Sequence, residues 1–247
     1  MSRYLAIIPV FKDDRVIKAI EELNKQTVQF DEIIIQDPVS DYKHLERAGV
    51  TVNNDRDVGL FNGIDKCVEK YVTKADFVFL QGADDVLTDY DFVKKAKEHQ
   101  QDGFDIFASR TAHTQNGVIK RMWPKKEYVE SKKCYPAHFG TIYSGRLLKS
   151  HKMQIEKHAA NIGMDTVWLE KIRFRELKII QDETLGFFME TGGISTKERL
   201  SSLKNIVNVM NVMEKDLYIL TWLSLQVLTK DLEVSMMYLT LDLKQIE

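Results

Sequence analysis

The sequence predicts an α/β fold with a mostly parallel, doubly wound sheet flanked by helices. In the first hundred residues, short apolar runs typical of buried parallel strands alternate with segments whose apolar residues recur at helical spacing. The length of 247 residues suits one large α/β domain or a core with a small appendage. No internal repeat, low-complexity tract or linker interrupts the chain. We therefore expect one domain over residues 1–196 and a helical C-terminal extension over 197–247.

The predicted elements follow one another in chain order. Apolar runs predict strands at 4–10, 32–36, 50–53 and 77–80. Helical spacing predicts helices between and after them at 13–25, 57–71 and 89–101. After 104–107 the pattern changes, and the signals are a hairpin at 113–123 around Asn116-Gly117, a helix at 164–174 and strands at 178–180 and 187–189.

Composition and charge narrow the classes of function. The net charge of −2 gives the molecule no electrostatic reason to bind nucleic acid. Cys67 and Cys134 share no metal-ligand spacing, which fits thiols in a reducing cytoplasm. The first residues lead into a strand without a cleavage site, and the longest apolar stretch, 217–228, is too short to cross a bilayer. We therefore expect a cytoplasmic protein.

Two segments bear on partners other than a substrate. A basic stretch surrounds the predicted hairpin and contains Lys120, Arg121, Lys125, Lys126, Lys132 and Lys133. It is a solvated loop, a peripheral contact with the anionic lipid surface on the inner face of the membrane, or a surface that faces a lipid-diphosphate acceptor. An apolar stripe at helical spacing between 206 and 213 could pack on the domain, form a homo-oligomer or lie on the membrane. The sequence leaves these alternatives open.

Aspartates follow three of the predicted strands. Asp37 follows the second strand, Asp57 the third, and the Asp84-Asp85 pair the fourth. Ligands of open parallel sheets bind beyond the carboxyl ends of the strands, and carboxylates there suit a Mg²⁺ or Mn²⁺ ion that bridges to substrate phosphates. The alternative for adjacent aspartates is a helix cap or a solvated turn. No G-x-G-x-x-G follows the first strand and the chain has no P-loop motif, which argues against NAD, FAD and P-loop chemistry.

Four motifs carry a resemblance to a known family. They are IIPVF at 7–11, IIIQDPVSD at 33–41, DVGLFNGIDKC at 57–67 and FVFLQGADD at 77–85. Three looser matches follow: HFGTIY at 138–143, GMDTVWL at 163–169 and GGIS at 192–195. In this order and spacing the chain resembles the family 2 glycosyltransferases with the GT-A fold, especially the bacterial enzymes of capsule, O-antigen and exopolysaccharide assembly.

The resemblance implies an activity and a cofactor. The activity is an inverting, hexosyltransferase-type transfer of a sugar from a nucleoside-diphosphate sugar to a saccharide or lipid-linked saccharide, in cell-surface polysaccharide biosynthesis. The cofactor is Mn²⁺ or Mg²⁺. Two departures from the family pattern stand out: Gln81-Gly82-Ala83 replaces the Asp or Asn common before the Asp-Asp pair, and Pro38 stiffens the loop after Asp37.

The resemblance also implies residue roles. Asp37 would accept a hydrogen bond from the nucleobase, Asp84 would contact the ribose or sugar, and Asp85 would bind the metal. Asp165 would be the general base that deprotonates the acceptor hydroxyl. The remaining candidates are Pro9 and Asp57 for the nucleotide sugar and His138 for the diphosphate or the metal. A structural histidine at position 138 and a helix cap at position 165 are the alternatives.

Two other functions remain open at this point. A nucleotidyltransferase is also a doubly wound enzyme that uses a metal and a nucleotide, although the loop after the first strand lacks the usual glycines. A catalytically inactive family member acting as a binding module is the other alternative, because of the departures at Gln81 and Pro38.

Overall fold

The computed structural model describes residues 2–115, 118–154 and 164–190. The strands are β1 (Tyr4–Pro9), β2 (Glu32–Gln36), β3 (Val50–Asn53), β4 (Phe77–Leu80), β5 (Val86–Leu87), β6 (Ile106–Gln115), β7 (Val118–Trp123), β8 (Thr141–Ser144) and β9 (Ile179–Glu190). The helices are α1 (Arg15–Leu23), α2 (Leu60–Tyr71), α3 (Phe92–Glu98), α4 (Lys126–Glu130), α5 (Gly145–Ser150) and α6 (Met164–Lys171). Short 3₁₀ turns lie at Lys43–Leu45, His99–Asp102 and Phe174–Glu176.

The strands of the described residues form one sheet in the order β3-β2-β1-β4-β8-β6-β9-β5, with β7 paired to β6. The first four strands in this order are parallel. In the rest of the sheet, β8 runs antiparallel to β4 and β6, while β9 runs parallel to β6. This arrangement confirms the predicted α/β fold with a mostly parallel sheet flanked by helices.

Strand β1 shows how the sheet separates two apolar cores. Successive side chains of a strand point to opposite faces. Tyr4, Ala6 and Ile8 lie in the core that contains the buried residues of α1 and α3, while Leu5 and Ile7 lie in the core that contains those of α2, α5 and α6. All five side chains are buried, which explains why the strand reads as one continuous apolar run.

The second half differs most from the sequence prediction. Strand β8 was not predicted, because its four residues are buried and give no alternation of polar and apolar positions. The strands predicted at 178–180 and 187–189 form one continuous strand, β9. The predicted hairpin is confirmed by the β6–β7 pairing. Its Asn116-Gly117 turn and the predicted extension at 197–247 lie outside the described residues.

In the part of the chain that the structure describes, no helix has both the length and the apolar character needed to cross a membrane.

Candidate functional site

The parallel pairing brings the predicted nucleotide-sugar residues to one edge of the sheet. Pro9, the last residue of β1, lies opposite Gln36, the last residue of β2, and Gln36 lies opposite Asn53 at the end of β3. Ile7 of β1 lies opposite Leu80, where β4 ends. The loops that carry Asp37, Asp57 and the Asp84-Asp85 pair therefore leave the same edge, as the sequence predicted.

Asp37 organises the loop that follows β2. Its side chain is 0% exposed. One carboxylate oxygen accepts a hydrogen bond from the backbone N–H of Tyr42 at 2.8 Å, and the other accepts from the N–H of Val39 at 3.3 Å. The hydroxyl of Tyr42 in turn donates to Asp14, the residue before α1, at 3.0 Å. In this conformation the carboxylate shapes the rim of the site, and its contact with a base stays a prediction.

Asp57 is held by a buried amide network. The Nε2 of Gln36 donates to the Asp57 carboxylate at 2.8 Å, and the Nδ2 of Asn53 donates to the Oε1 of Gln36 at 2.6 Å. The other Asp57 oxygen accepts from the backbone N–H of Gly59 at 3.1 Å. Residues 57–59 therefore form a fixed loop, and α2 begins at Leu60 rather than at the predicted position 57.

The acidic pair lies directly beyond β4. Asp85 is 4% exposed, and its carboxylate accepts a hydrogen bond from the backbone N–H of Gly82 at 3.2 Å. A Cβ atom on Gly82 would lie 2.6 Å from that carboxylate, so the loop closes around Asp85 only with glycine there. Asp84 is half-buried, and the guanidinium of Arg15 at the start of α1 lies 3.5 Å from its carboxylate. Arg15 is shared, because it also pairs with Asp13 at 2.6 Å.

This pair concentrates negative charge in a buried place. Burial raises the pKa of Asp85 well above its ordinary value of 3.8, and the charge of Asp84 raises it further. The N–H of Gly82 and the guanidinium of Arg15 act in the opposite direction and do not cancel the rise. A cation beside Asp85 would relieve this electrostatic cost, which makes the pair chemically suited to a divalent ion.

The donor set limits how such an ion could be held. Among the described residues, no group of three or more His, Cys, Asp or Glu side chains is arranged to hold a metal. Mg²⁺ is commonly bound through one or two carboxylates, with water and substrate phosphates as the other ligands. The Asp84-Asp85 pair fits that pattern, in which the metal arrives together with the nucleotide.

A second cluster surrounds His138. The Nδ1 of its buried ring lies 3.0 Å from the hydroxyl oxygen of Tyr143 on β8. The ring centroid of Trp168 on α6 lies 6.2 Å from that of His138 and 5.6 Å from that of Tyr143. Asp165 precedes Trp168 by three residues, so both occupy the same face of α6. The structure therefore brings His138 and Asp165 together, although they are 27 positions apart in the sequence.

Different charged residues act on the His138 cluster and on the acidic pair. Burial lowers the pKa of His138, and the negative charge of Asp165 acts against this shift. Burial also raises the pKa of Tyr143, and the charge of Asp165 raises it further. The charges that act on Asp85 are those of Asp84 and Arg15. His138 therefore belongs electrostatically with Asp165, and its predicted role as a metal ligand stays untested.

Both clusters border the same edge of the sheet. The ring of Phe61, in the first turn of α2, lies 5.5 Å from that of His138. The backbone N–H of Gly140 donates to the carbonyl of Leu80, the last residue of β4, at 2.9 Å. The loop before β8 thus carries His138 to the end of the strand that precedes Asp84 and Asp85.

At Gly140 this loop packs closely against β9. Its φ is +79°, and an added Cβ would lie 2.5 Å from the ring of Phe187. Gly140→Ala is expected to lower the free energy of unfolding by more than the roughly 1–3 kcal/mol that a left-handed non-glycine residue costs by itself. Urea unfolding monitored by circular dichroism would measure the loss.

Gly103→Ala is the matched control. Gly103 has a φ of +68° and nothing within 4 Å of its added Cβ, so it isolates the backbone strain. Equal losses in the two alanine variants would contradict the close packing of the loop against Phe187.

Sequence reasoning missed several groups at this edge. Arg15 gave no signal, because its approach to Asp84 depends on how α1 folds back. Tyr143 lies within the HFGTIY motif, but the resemblance implies no role for it. The exposed side chains of Phe11, Val39 and Val58 lie in the loops after β1, β2 and β3 and offer apolar surface along the rim.

Comparison with known proteins finds solved structures of similar fold at low sequence identity. No protein-family model matches the chain, and no curated protein matches it. TarS of S. aureus in complex with UDP-GlcNAc has a TM-score of 0.62 at 14% identity, covering 85% of this chain and 67% of that chain. The mannosyltransferase PcManGT from Pyrobaculum calidifontis, in complex with GDP-Man and Mn²⁺, has a TM-score of 0.60 at 13% identity, covering 87% and 64%. A 4-diphosphocytidyl-2C-methyl-D-erythritol synthase has a TM-score of 0.50 at 11% identity, covering 81% and 98%.

Because the sequence identities are this low, the similarity shows a shared fold. TarS and the mannosyltransferase are glycosyltransferases of the GT-A type, and the chain shares that architecture over most of its length. The protein covers only about two thirds of the length of the TarS chain and of the mannosyltransferase chain.

Proposed function

We propose that the protein is an inverting glycosyltransferase that takes a sugar from a nucleoside-diphosphate sugar and transfers it to a saccharide or lipid-linked saccharide. One observation carries the proposal. A charge-rich pair, the half-buried Asp84 and the buried Asp85, and a separate carboxylate, Asp165 beside His138, border one edge of a GT-A-type sheet. An inverting transfer requires these two kinds of group, one on the leaving diphosphate and one on the acceptor.

The reaction is a single displacement at the anomeric carbon. The acceptor oxygen forms a bond to that carbon as the bond to the diphosphate oxygen breaks, and the electron pair of the broken bond leaves with the nucleoside diphosphate. Asp165 takes the proton of the acceptor hydroxyl. Asp84 and Asp85 would hold a Mn²⁺ or Mg²⁺ ion, which would supply positive charge to stabilise the departing diphosphate. Arg15 is close enough to Asp84 to limit repulsion between the acidic pair and the phosphates.

A ligand panel tests the nucleotide part of the proposal. UDP, GDP and ADP, each with and without Mn²⁺, are added to the protein and the thermal transition is recorded. A ligand that binds only the folded state raises stability by about 2.7 kcal/mol at a concentration of 100 times its Kd. We expect a Mn²⁺-dependent increase in the transition temperature with at least one of the diphosphates. No increase with any of them would contradict a nucleotide-binding role.

The same panel tests Asp37 as the reader of the base. A carboxylate accepts from the ring N–H of uracil or guanine, and adenine offers no equivalent ring donor on that edge. UDP or GDP should therefore stabilise the protein more than ADP does. Equal stabilisation by ADP would remove Asp37 from the base site and leave it the structural role in its loop that its bonds to Val39 and Tyr42 describe.

Nucleotidyl transfer is the second candidate. The fold likeness to 4-diphosphocytidyl-2C-methyl-D-erythritol synthase favours it, as do the cationic Lys12 in the loop after β1 and Arg15 at the start of α1. The products separate the two reactions. Glycosyl transfer releases a nucleoside diphosphate, whereas nucleotidyl transfer from a nucleoside triphosphate releases pyrophosphate.

A further inference from the structure

The His138 ring has one nitrogen with a partner and one without. Its Nδ1 lies 3.0 Å from the Tyr143 hydroxyl oxygen, whereas its Nε2 is buried and has no hydrogen-bond partner among the described residues. A buried polar nitrogen without a partner is costly, so such groups in folded proteins call for an explanation. The aromatic rings of Phe61, Phe139 and Trp168 around the imidazole offer Nε2 no strong acceptor.

The contacts of Tyr143 fit either neutral tautomer of His138. Its hydroxyl oxygen lies 3.0 Å from Nδ1 and 3.3 Å from the His138 carbonyl oxygen. With hydrogen on Nδ1 the ring donates to the hydroxyl, whereas with hydrogen on Nε2 the hydroxyl donates to Nδ1. The negative charge of Asp165, which acts on the ring, favours hydrogen on Nε2, because a carboxylate repels the lone pair of a bare nitrogen. Nε2 is then an N–H donor that requires an acceptor.

Asp165 is the available acceptor. Its negative charge is the one that acts on both His138 and Tyr143. Its position three residues before Trp168 places it on the helix face that packs against them. Its side chain is only half-buried, so part of it stays accessible. Catalytic hydrogen bonds are often long before substrate binds and shorten in the loaded enzyme.

We propose that His138 is a positioning residue for Asp165, with Tyr143 holding the imidazole so that Nε2–H donates to one oxygen of the carboxylate and directs the other at the acceptor hydroxyl. The imidazole stays neutral throughout, and the acceptor proton moves only to Asp165. This inference rests on the proposed function, in which Asp165 is the base. A base oriented by a third group is a recurring arrangement in enzymes that activate hydroxyl groups.

The first test reads the tautomer and requires no activity. Long-range ¹H–¹⁵N NMR spectra of the full chain report which ring nitrogen of each of the six histidines carries hydrogen. His138→Gln identifies the His138 signals by their loss. We expect a proton on Nε2 and a bare Nδ1, with the Nε2 resonance shifted in Asp165→Asn. A proton on Nδ1 would overturn the proposal, and so would an Nε2 chemical shift that is unchanged in Asp165→Asn. Either result would do so even if the protein were shown to transfer sugar.

The second test uses two amide substitutions that differ by one methylene group. The amide nitrogen of glutamine can take the place of Nε2, whereas that of asparagine takes the place of Nδ1. With UDP-GlcNAc or GDP-Man as the donor and water as the acceptor, nucleoside diphosphate release by His138→Gln should stay near the wild-type kcat. That of His138→Asn should fall by about 10–100-fold, the usual cost of losing an orienting partner. KM for the donor should be unchanged in both.

The pattern of results separates the possible failures. Equal losses of kcat in both variants, or a loss confined to KM, would show that His138 serves only packing and would overturn the inference. If the wild-type protein released no nucleoside diphosphate from any donor, the proposed function would fail, and the NMR experiment alone would decide whether Nε2 donates to Asp165.

Discussion

Replacing Asp85 with asparagine is expected to abolish the Mn²⁺-dependent stabilisation of the protein by nucleoside diphosphates. Asparagine keeps the shape of the side chain and can still accept from the N–H of Gly82, but it offers the ion no negative charge. At a ligand concentration of 100 times the wild-type Kd, the loss should approach about 2.7 kcal/mol of stabilisation. Thermal unfolding with and without Mn²⁺ measures it.

The same substitution should raise the stability of the metal-free protein. Because burial raises the pKa of Asp85 above its ordinary value of 3.8, the folded state retains a proton that the unfolded chain has already lost. The free energy of unfolding therefore falls as the pH rises from about 3.8 through the raised pKa, and it stays lower above that interval. The asparagine side chain carries no charge, so this decrease should be absent from the variant. Urea unfolding over a pH series without metal would show it.

Asp41→Asn provides the matched control, because Asp41 is an exposed aspartate in the loop after β2. It should alter neither the Mn²⁺ dependence nor the pH profile. A metal response retained in Asp85→Asn would show that the ion binds elsewhere. A metal-free Asp85→Asn protein less stable than the wild type would show that the buried carboxylate contributes to folding instead of opposing it.

The parallel half of the fold could be predicted because its strands carry their own signal. The buried run of Ile33, Ile34 and Ile35 is apolar on both faces. Helical patterns follow the first, third and fourth of the predicted strands. Strand β8 carries no comparable signal: it is short, and it enters the sheet between β4 and β6 through pairings that no local pattern specifies. The helix predicted to begin at 57 begins at Leu60 instead, because the hydrogen bond from Gln36 holds Asp57 in the loop before the helix.

The part of the candidate site that follows the parallel strands was predictable, because those strands could be recognised from the sequence. Polar residues that end parallel strands share one edge, so the positions of Asp37, Asp57, Asp84 and Asp85 follow from the strand assignment. What lies around them does not follow. The burial of Asp37 and its bonds to Val39 and Tyr42 depend on the path of one loop. The grouping of His138 with Asp165 depends on the packing of α6 against β8, which involves residues far apart in the sequence.

Asp165→Asn is expected to leave nucleotide binding intact and to lower the rate of transfer by about 10²–10⁴-fold, the usual effect of removing a general base. Binding should survive because the charges that act on Asp85 are those of Asp84 and Arg15, and Asp165 is not among them. Release of UDP from UDP-GlcNAc or of GDP from GDP-Man gives the rate, and the Mn²⁺-dependent thermal shift gives the binding.

The same variant separates a base from a helix cap. Asp165 lies in the first turn of α6, where a carboxylate stabilises the helix end by about 0.3–1 kcal/mol. Asparagine caps helices nearly as well as aspartate, so a capping role predicts almost unchanged stability and an unchanged rate. A base predicts almost unchanged stability and a rate reduced at least about a hundredfold. If the variant released nucleoside diphosphate at nearly the wild-type rate, Asp165 would be a cap, and Glu190 at the end of β9 would be the next carboxylate to substitute.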